Sequence, residues 1–294
     1  MKLFDLHCDT LYEMHKNEAG LYKNGLQISF DKTEILDEYS QIFAVWSDNK
    51  LSGDEAYHRF FEILEYAKRE FGNSEFDFPS ERFRLSVEGG ALLNGDLKRL
   101  RELKKCGVCI LTLVWSDVCS VGGAHNTNEG LTDFGIDTVK ACFDLGIIPD
   151  LSHASEKMFF QTADLAVNAD MPIIATHSCT KQVCDHTRNV SKDQLCAIKD
   201  TGGIIGVNLV PTHLGGAGLD CVAKNLSVMT EVCGSDRVCL GCDFDGPAEL
   251  PDGIVGIEDI GAVADTLRDA HFSEELISKI FYENARSFAD HRLK

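Results

Sequence analysis

Histidine and acidic side chains follow several apolar runs of the sequence, at the point where each run ends. The candidates are His7, Asp9, Glu88, His153, His177 and Asp243. Residues two apart on a strand face the same side, so His7 and Asp9 can share one metal ion. Imidazole together with carboxylate is the ligand combination that suits zinc, with manganese or cobalt as substitutes. If these segments meet in the fold, they predict a metal site.

Each of these signals also has a reading without a metal. The pair His7 and Asp9 is compatible with a hydrogen-bonded strand terminus, and Glu88 before two glycines with a turn or a helix cap. A single histidine after an apolar run is often a buried core residue whose hydrogen bonds are made within the protein. The combination argues otherwise, because burying carboxylates and imidazoles together without a partner is costly. A divalent cation removes that cost.

The elements that must position these side chains are eight short apolar runs. They read KLFDL, SQIFAVW, FRLSV, GVCILTLVW, IIPDLS, PIIATHS, GGIIGVNLV and RVCLGC. Each is rich in β-branched or aliphatic residues and is bounded by Gly, Asp, Pro or Ser, which is typical of buried strands. Helical spacing of apolar residues lies between most of them, over 54–71, 97–103, 138–145, 156–167, 192–199 and 257–268. This alternation indicates parallel strands covered on both faces.

Eight strands that alternate with helices predict a (β/α)8 TIM barrel, in which the carboxyl ends of all strands converge on one mouth. One more helix is predicted over 273–291, with Ser273 as its cap. An open doubly wound sheet is the alternative fold, but the Gly-rich nucleotide loop that it usually carries is missing. Because no linker or charge block divides the chain, we expect a single domain over residues 1–294.

Composition excludes several classes of function. The formal net charge is −19, so the phosphate groups of nucleic acids or of an anionic membrane would repel the protein. The apolar runs are too short to span a bilayer. Asp5 and Asp9 stand where a signal peptide would be apolar, so we expect a cytoplasmic protein.

Two CxxC pairs, Cys106/Cys109 and Cys239/Cys242, lie too far apart in sequence for a zinc ribbon. We interpret most cysteines as reduced core residues.

Six blocks of sequence together resemble one known family. They read DLHCDT, SVEGG, GLTDFG, IIPDLSHAS, THSCTKQVCDHTRNVS and GCDFDG, in this order, and extend over nearly the whole chain. The chain thereby resembles the membrane (renal) dipeptidases, the dinuclear zinc peptidases of peptidase family M19. The resemblance implies a (β/α)8 barrel of the metallo-dependent hydrolase type, membrane dipeptidase activity (EC 3.4.13.19) and, as a suggestion only, a homodimer.

The family pattern, carried over residue by residue, implies a role for each candidate ligand. His7 and Asp9 would bind the first zinc ion, and His153 and His177 the second. Glu88 would bridge the two ions through its two carboxylate oxygens. The same five residues lie at the ends of the apolar runs.

The resemblance also implies the residues that would contact the substrate, with one departure from the family pattern. Arg188 would hold the terminal carboxylate of the substrate, and Asp243 is the candidate for proton transfer. Trp115 stands where better-known members have a histidine on the scissile carbonyl oxygen, and an indole N–H cannot carry positive charge. Either zinc takes over that task or another donor does, with His125 the nearest candidate, although it is as readily a plain loop residue. His213 falls about where the family has a tyrosine that contacts the substrate carboxylate.

These inferences together predict a zinc-dependent dipeptidase with two Zn²⁺ ions and a metal-bridging hydroxide as nucleophile. Asp243 would take the proton and return it to the leaving amine. The predicted partner is a dipeptide, with no nucleic acid and no membrane. Two alternatives remain, namely a dinuclear amidohydrolase that acts on another amide, a lactone or a β-lactam, and a metal or peptide binder without turnover.

Overall fold

Parallel strands and helices alternate along the chain in the computed structural model, which describes residues 1–48, 50–74 and 76–293. Five strands form a curled sheet in chain order. They are β1 (Lys2–Cys8), β2 (Glu38–Trp46), β3 (Phe83–Glu88), β4 (Val108–Thr112) and β5 (Ile148–Asp150). All of their pairings are parallel. A second, two-stranded parallel sheet contains β6 (Ile205–Val207) and β7 (Val238–Leu240).

Most of the helices lie between strands, as the alternation predicts, and the last three follow β7. They are α1 (Thr10–Asn17), α2 (Gly53–Gly72), α3 (Leu97–Lys105), α4 (Asp133–Leu145), α5 (Glu156–Ala169), α6 (Lys192–Asp200), α7 (Pro211–Leu214), α8 (Leu219–Cys233), α9 (Gly261–Asp269), α10 (Glu274–Ser278) and α11 (Asn284–Arg292). Short 3₁₀ helices cover Asp31–Ile35, Gly90–Leu93 and Ile257–Asp259. Among the described residues, no helix combines the length and the apolar character that crossing a membrane requires.

Local sequence explains where several helices begin. Ser52 caps α2 in a capping box with Glu55, since each side chain accepts from the backbone N–H of the other residue. Ser273 caps α10 as predicted. The helix predicted over 273–291 is interrupted, however, because a π-helical turn at Lys279–Glu283 separates α10 from α11. The predicted helical segments do not include α1, α7 or α8.

Two apolar clusters hold the fold together. The larger cluster lies between the sheet and the helices. The smaller one draws a residue from most of the apolar runs, and α11 adds Phe288 to it. Its strand-run members are Phe4, Leu6, Ile42, Cys109, Ile110, Ile148, Ile174, Ile204 and Cys239. Side chains from successive parallel runs therefore meet in a common interior.

The sixth apolar run, PIIATHS, forms no regular strand, so the described residues contain seven strands and not the predicted eight. Its contacts are single parallel bridges, one from Ile174 to Asp150 and one from Ala175 to Ile205. Here side chains accept the backbone hydrogen bonds that a neighbouring strand would accept in a regular sheet. The backbone N–H of Thr176 donates to the Asp150 carboxylate (2.9 Å), and that of His177 donates to Ser152 Oγ (3.1 Å).

The chain packs very closely around the sixth run. A Cβ atom added to Gly206 in β6 would lie 2.2 Å from the carbonyl oxygen of Thr176, and one added to Gly241 would lie 1.7 Å from it. Another single bridge connects Cys8 at the end of β1 with Phe244. The segment after β7 is thereby brought to the carboxyl end of β1.

We expect the substitution Gly206→Ala to lower the free energy of unfolding by about 3 kcal/mol, because the new methyl group would overlap the backbone at Thr176. Gly25→Ala is the control, since its Cβ would meet nothing within 4 Å, and we expect a change within about 0.5 kcal/mol. Urea denaturation of both variants measures the difference. Equal midpoints would contradict the close approach of Gly206 to the sixth run.

Candidate metal centre

The five side chains that were predicted as metal ligands lie together at the carboxyl ends of the strands. His7 is the second-to-last residue of β1, and Asp9, directly after the strand, is the N-cap residue of α1. Glu88 ends β3, while His153 and His177 follow β5 and the sixth run. All five are buried.

The two carboxylate oxygens of Glu88 face different histidines. Its Oε2 lies 3.6 Å from Nε2 of His7. Its Oε1 lies 2.8 Å from Nε2 of His153 and 3.3 Å from Nε2 of His177. The rings of His7 and His177 are stacked, with centroids 3.7 Å apart. One carboxylate is therefore in contact with three imidazoles, which is the arrangement that a bridging ligand requires.

Asp9 and Asp243 extend this cluster on the side of His7. Each places a carboxylate oxygen 3.8 Å from Nε2 of His7. Asp243 is held near β1 because its N–H donates to the carbonyl of His7 (3.1 Å), and its φ of +66° is in the left-handed region. Gly246 leaves room for both carboxylates, since a Cβ there would lie 2.5 Å from Asp9 Oδ2 and 2.6 Å from Asp243 Oδ1.

The donor atoms fit a divalent cation. Two sets of three ligand atoms each lie within 4.8 Å of one another, namely those of His7, Glu88 and His177 and those of His7, Asp9 and Asp243. Nε2 of His7 and Oδ1 of Asp9 are buried and have no hydrogen-bond partner. Buried polar atoms normally have one. Bound cations would supply the missing partners, and the mixture of imidazole and carboxylate suits zinc or manganese.

The carboxylates raise one another's pKa values because they are buried and crowded. Burial and the neighbouring Glu88 raise the pKa of Asp9 to about 6. Burial, together with Asp9 and Glu88, raises the pKa of Asp243 well above its usual value. Glu88 itself differs, since His7 and the other imidazoles outweigh its burial and hold its pKa well below the usual value. A site of this kind favours an added positive charge.

The histidines differ in charge. Burial alone would lower the pKa of His7, but Glu88 and Asp9 raise it well above the usual value. Burial and the charge of Arg188 lower the pKa of His153 to about 4. Burial and the charge of His7 hold the pKa of His177 well below the usual value. His153 and His177 are therefore neutral at physiological pH, as metal ligands must be.

A cavity of about 290 Å³ opens onto the cluster. Trp115, His213 and Asp243 line it. Trp46 packs edge-to-face on Trp115, with ring centroids 5.0 Å apart. Tyr12 packs on Trp46 in the same way at 4.7 Å. We call these three side chains the aromatic wall. The cavity is therefore small, and three aromatic side chains that pack on one another form one of its sides.

Arg188 lies beside the cluster but lines a neighbouring cavity of about 520 Å³. Its guanidinium is buried and donates to the carbonyls of Ser152 and His177 and to Ser178 Oγ. His125 lines this second cavity as well, with Nδ1 3.0 Å from Thr187 Oγ1. Arg188, the residue predicted to hold the substrate carboxylate, therefore packs against the backbone at Ser152 and His177.

Sequence reasoning missed two of the residues that line the cavity, Tyr12 and Trp46. Trp46 ends the second apolar run, at the same strand-end position that singled out His7 and Glu88. A search for aromatic as well as charged residues at strand ends would have found it. Tyr12 lies on α1, one turn after Asp9, and carried no signal of its own.

The chain is similar in sequence to known proteins. A sequence model of membrane dipeptidases, peptidase family M19, matches residues 1–288. An uncharacterized protein encoded in the pqqA 5′ region of Klebsiella pneumoniae is 30% identical over 213 residues, which is 67% of this chain and 77% of that protein. An uncharacterized dipeptidase of Schizosaccharomyces pombe is 32% identical over 222 residues, which is 71% of this chain but only 51% of that protein.

Solved structures show the same fold. One is a metallo peptidase from Rhodobacter sphaeroides, liganded with a phosphinate mimic of the dipeptide L-Ala-D-Ala. It superposes with a TM-score of 0.92 over 100% of this chain and 99% of its own, at 23% sequence identity. The arrangement of strands and helices is therefore shared over the full length of both chains.

We expect Glu88→Ala to weaken zinc binding by about 100-fold or more, because even residues outside the first coordination shell change metal affinity by about 10–100-fold. The measurement is a titration of metal-free protein against a chromophoric chelator. Glu13→Gln is the control, since Glu13 lines the same cavity but belongs to neither set of ligand atoms. Equal zinc affinity of wild type and Glu88→Ala would show that Glu88 is not a ligand.

Proposed function

Because the chain belongs to the membrane dipeptidase family, peptidase family M19, we propose that it is a metal-dependent dipeptidase, which hydrolyses the peptide bond of dipeptides. The observation that carries this proposal is Glu88, whose two oxygens face His7 on one side and His153 and His177 on the other. A carboxylate in this position is suited to hold two cations at once.

We assign two zinc ions to the site. His7, Asp9 and Glu88 would hold one ion, and Glu88, His153 and His177 the other. When bound, paired divalent ions polarise a carbonyl oxygen and lower the pKa of a bound water to about 7. Manganese or cobalt would satisfy the same donor atoms.

Asp243 is the group that would move the proton. It lines the cavity, and its carboxylate lies 3.8 Å from His7 Nε2. Burial and the neighbouring carboxylates raise its pKa well above the usual value of an aspartate. A carboxyl group with these properties can accept a proton from the attacking water and pass it to the leaving amine.

The free carboxylate of the substrate needs a cationic partner, and we assign that role to Arg188. Its guanidinium is buried beside the cluster, between Ser152 and Ser178, and it lines the neighbouring cavity of about 520 Å³, so the substrate carboxylate would have to extend to that side of the cluster. His213 would contribute a hydrogen bond and no charge, because burial and the charge of Arg188 lower its pKa to about 2. With a cavity of about 290 Å³ beside the metal ligands, only a short peptide fits.

Trp115 supports a second candidate function. It lines the cavity near His153, with ring centroids 6.2 Å apart, and its indole cannot supply the positive charge of an imidazole. The imidazole of His125 lies in the neighbouring cavity. A substrate that is easier to open than a peptide, such as a lactone, a β-lactam or another amide, would need less stabilisation of this kind.

We further propose that the two sheets and the sixth run form one (β/α)8 barrel. The single bridges of Ile174, Ala175 and Cys8 lie where the pairings of such a barrel would be. The smaller apolar cluster, to which most of the runs contribute, would be the interior of this barrel at the end away from the metal ligands.

Removal of the metal is expected to abolish dipeptide hydrolysis, because no serine or cysteine nucleophile has a place in the proposed reaction. The assay follows release of amino acids from a panel of dipeptides, D-residue dipeptides, lactones and β-lactams, before and after chelation. Added Zn²⁺ should restore activity, whereas Mg²⁺, which prefers oxygen ligands, should not. Undiminished hydrolysis by a metal-free preparation would exclude the proposal, and turnover of cyclic substrates alone would favour the second candidate.

Asp243→Asn should lower kcat for a dipeptide by about 10²–10⁴-fold, the usual contribution of a general acid or base. Asp245→Asn is the matched control, because Asp245 accepts from the Thr10 hydroxyl and from the backbone N–H of Gln27, each at 2.7 Å. Replacing the Asp245 carboxylate should reduce thermal stability and leave kcat per folded, zinc-loaded molecule nearly unchanged. Wild-type kcat in Asp243→Asn with its full metal content would remove Asp243 from the reaction.

A further inference from the structure

Asp150, the last residue of β5, is a buried carboxylate that accepts hydrogen bonds on both oxygens. Oδ1 accepts from the Thr176 N–H (2.9 Å), and from the N–H (3.1 Å) and hydroxyl (2.6 Å) of Ser152. Oδ2 accepts from the hydroxyls of Thr112 (2.6 Å) and Thr176 (2.7 Å). Asp150 thus links β4, β5 and the sixth run.

Counting protons in this network fixes the direction of the next hydrogen bond. The single hydroxyl proton of Thr176 is donated to Asp150 Oδ2 at 2.7 Å, and a hydroxyl has no second proton to donate. Thr176 Oγ1 also lies 2.8 Å from Nδ1 of His177. In that contact Thr176 can only be the acceptor, so Nδ1 of His177 carries the proton.

The other ring nitrogen of His177 then has a free lone pair. Nε2 lies 3.3 Å from Glu88 Oε1 and 3.0 Å from Nε2 of His153, inside the candidate metal centre. The backbone of His177 is fixed by the same network, since its N–H donates to Ser152 Oγ (3.1 Å), whose proton is donated to Asp150.

His153 provides an internal contrast. It belongs to the same centre, but its Nδ1 is buried and has no hydrogen-bond partner. Its Nδ1 therefore lacks a partner comparable to Thr176 among the described residues, and its carboxylate contact is made by Nε2, which lies 2.8 Å from Glu88 Oε1 inside the centre. Of these two histidines as the structure describes them, only His177 has its Nδ1 held by a chain of hydrogen bonds that ends on a carboxylate.

We propose that Thr176, backed by Asp150, is a positioning residue that holds His177 in the Nδ1–H tautomer and directs the Nε2 lone pair at the metal. A partner that fixes the tautomer and the ring angle of a ligating histidine increases its affinity for the metal. The proposal rests on the proposed function only in that it takes His177 as a ligand.

The test compares Thr176→Val, which keeps the shape but loses the hydroxyl, with Thr176→Ser, which keeps the hydroxyl. The first readout is the tautomer of His177 in the metal-free protein, from long-range ¹H–¹⁵N spectra of ¹⁵N-histidine-labelled samples. His177→Gln identifies the signal by its disappearance. The second readout is zinc affinity, measured by competition with a chromophoric chelator.

We expect the Nδ1–H tautomer in wild type and in Thr176→Ser, and its loss in Thr176→Val. Zinc affinity should fall by about 10–100-fold in Thr176→Val and return to near the wild-type value in Thr176→Ser. A purely structural role would change the melting temperature without this pattern of tautomer and affinity.

Two results would overturn the proposal. One is an Nε2–H tautomer of His177 in the wild-type protein, a measurement that does not depend on the folding of Thr176→Val. The other is unchanged zinc affinity in Thr176→Val. Absence of dipeptide hydrolysis by zinc-loaded wild type would contradict the proposed function alone, because neither readout uses a peptide substrate.

Discussion

Three carboxylates converge on one imidazole inside the protein, and the cost of keeping them there governs the rest of the structure. Asp9, Glu88 and Asp243 all place an oxygen within 3.8 Å of His7. Burial and mutual repulsion raise the pKa values of two of them, while Glu88 stays ionised against the histidines. Such a cluster is costly without positive charge. The strands, the loops after them and the left-handed backbone of Asp243 all bring together groups that a cation would bind, and its positive charge would offset this cost.

The fold supplies this convergence with little regular sheet. Strands β5, β6 and β7 have three residues each, and the sixth run has only single bridges. Side chains replace the missing backbone pairing, and Asp150 is the centre of that replacement. The hydrogen bonds that hold the sixth run in place thereby also orient His177. In this half of the molecule, the stability of the sheet and the geometry of the site depend on the same atoms.

Sequence predicts those parts of the site that depend on strand ends. His7, Glu88, His153 and His177 each follow an apolar run, and parallel strands bring such positions together whatever the details of packing. The sixth run shows the limit of an apolar pattern. Such a pattern cannot reveal that the backbone N–H groups of this run donate to the side chains of Asp150 and Ser152 in place of a neighbouring strand. The direction in which Arg188 points and the partnership of Tyr12 with Trp46 depend on tertiary packing. Neither had a signature in local sequence.

The aromatic wall has a consequence for how the protein can be observed. The chain contains two tryptophans, and both of them, Trp46 and Trp115, line the cavity beside the metal ligands. Ultraviolet emission excited selectively from indole therefore originates entirely at the mouth of the site. The molecule carries its own optical reporter, so occupancy of this cavity can be followed in real time without a dye or a label.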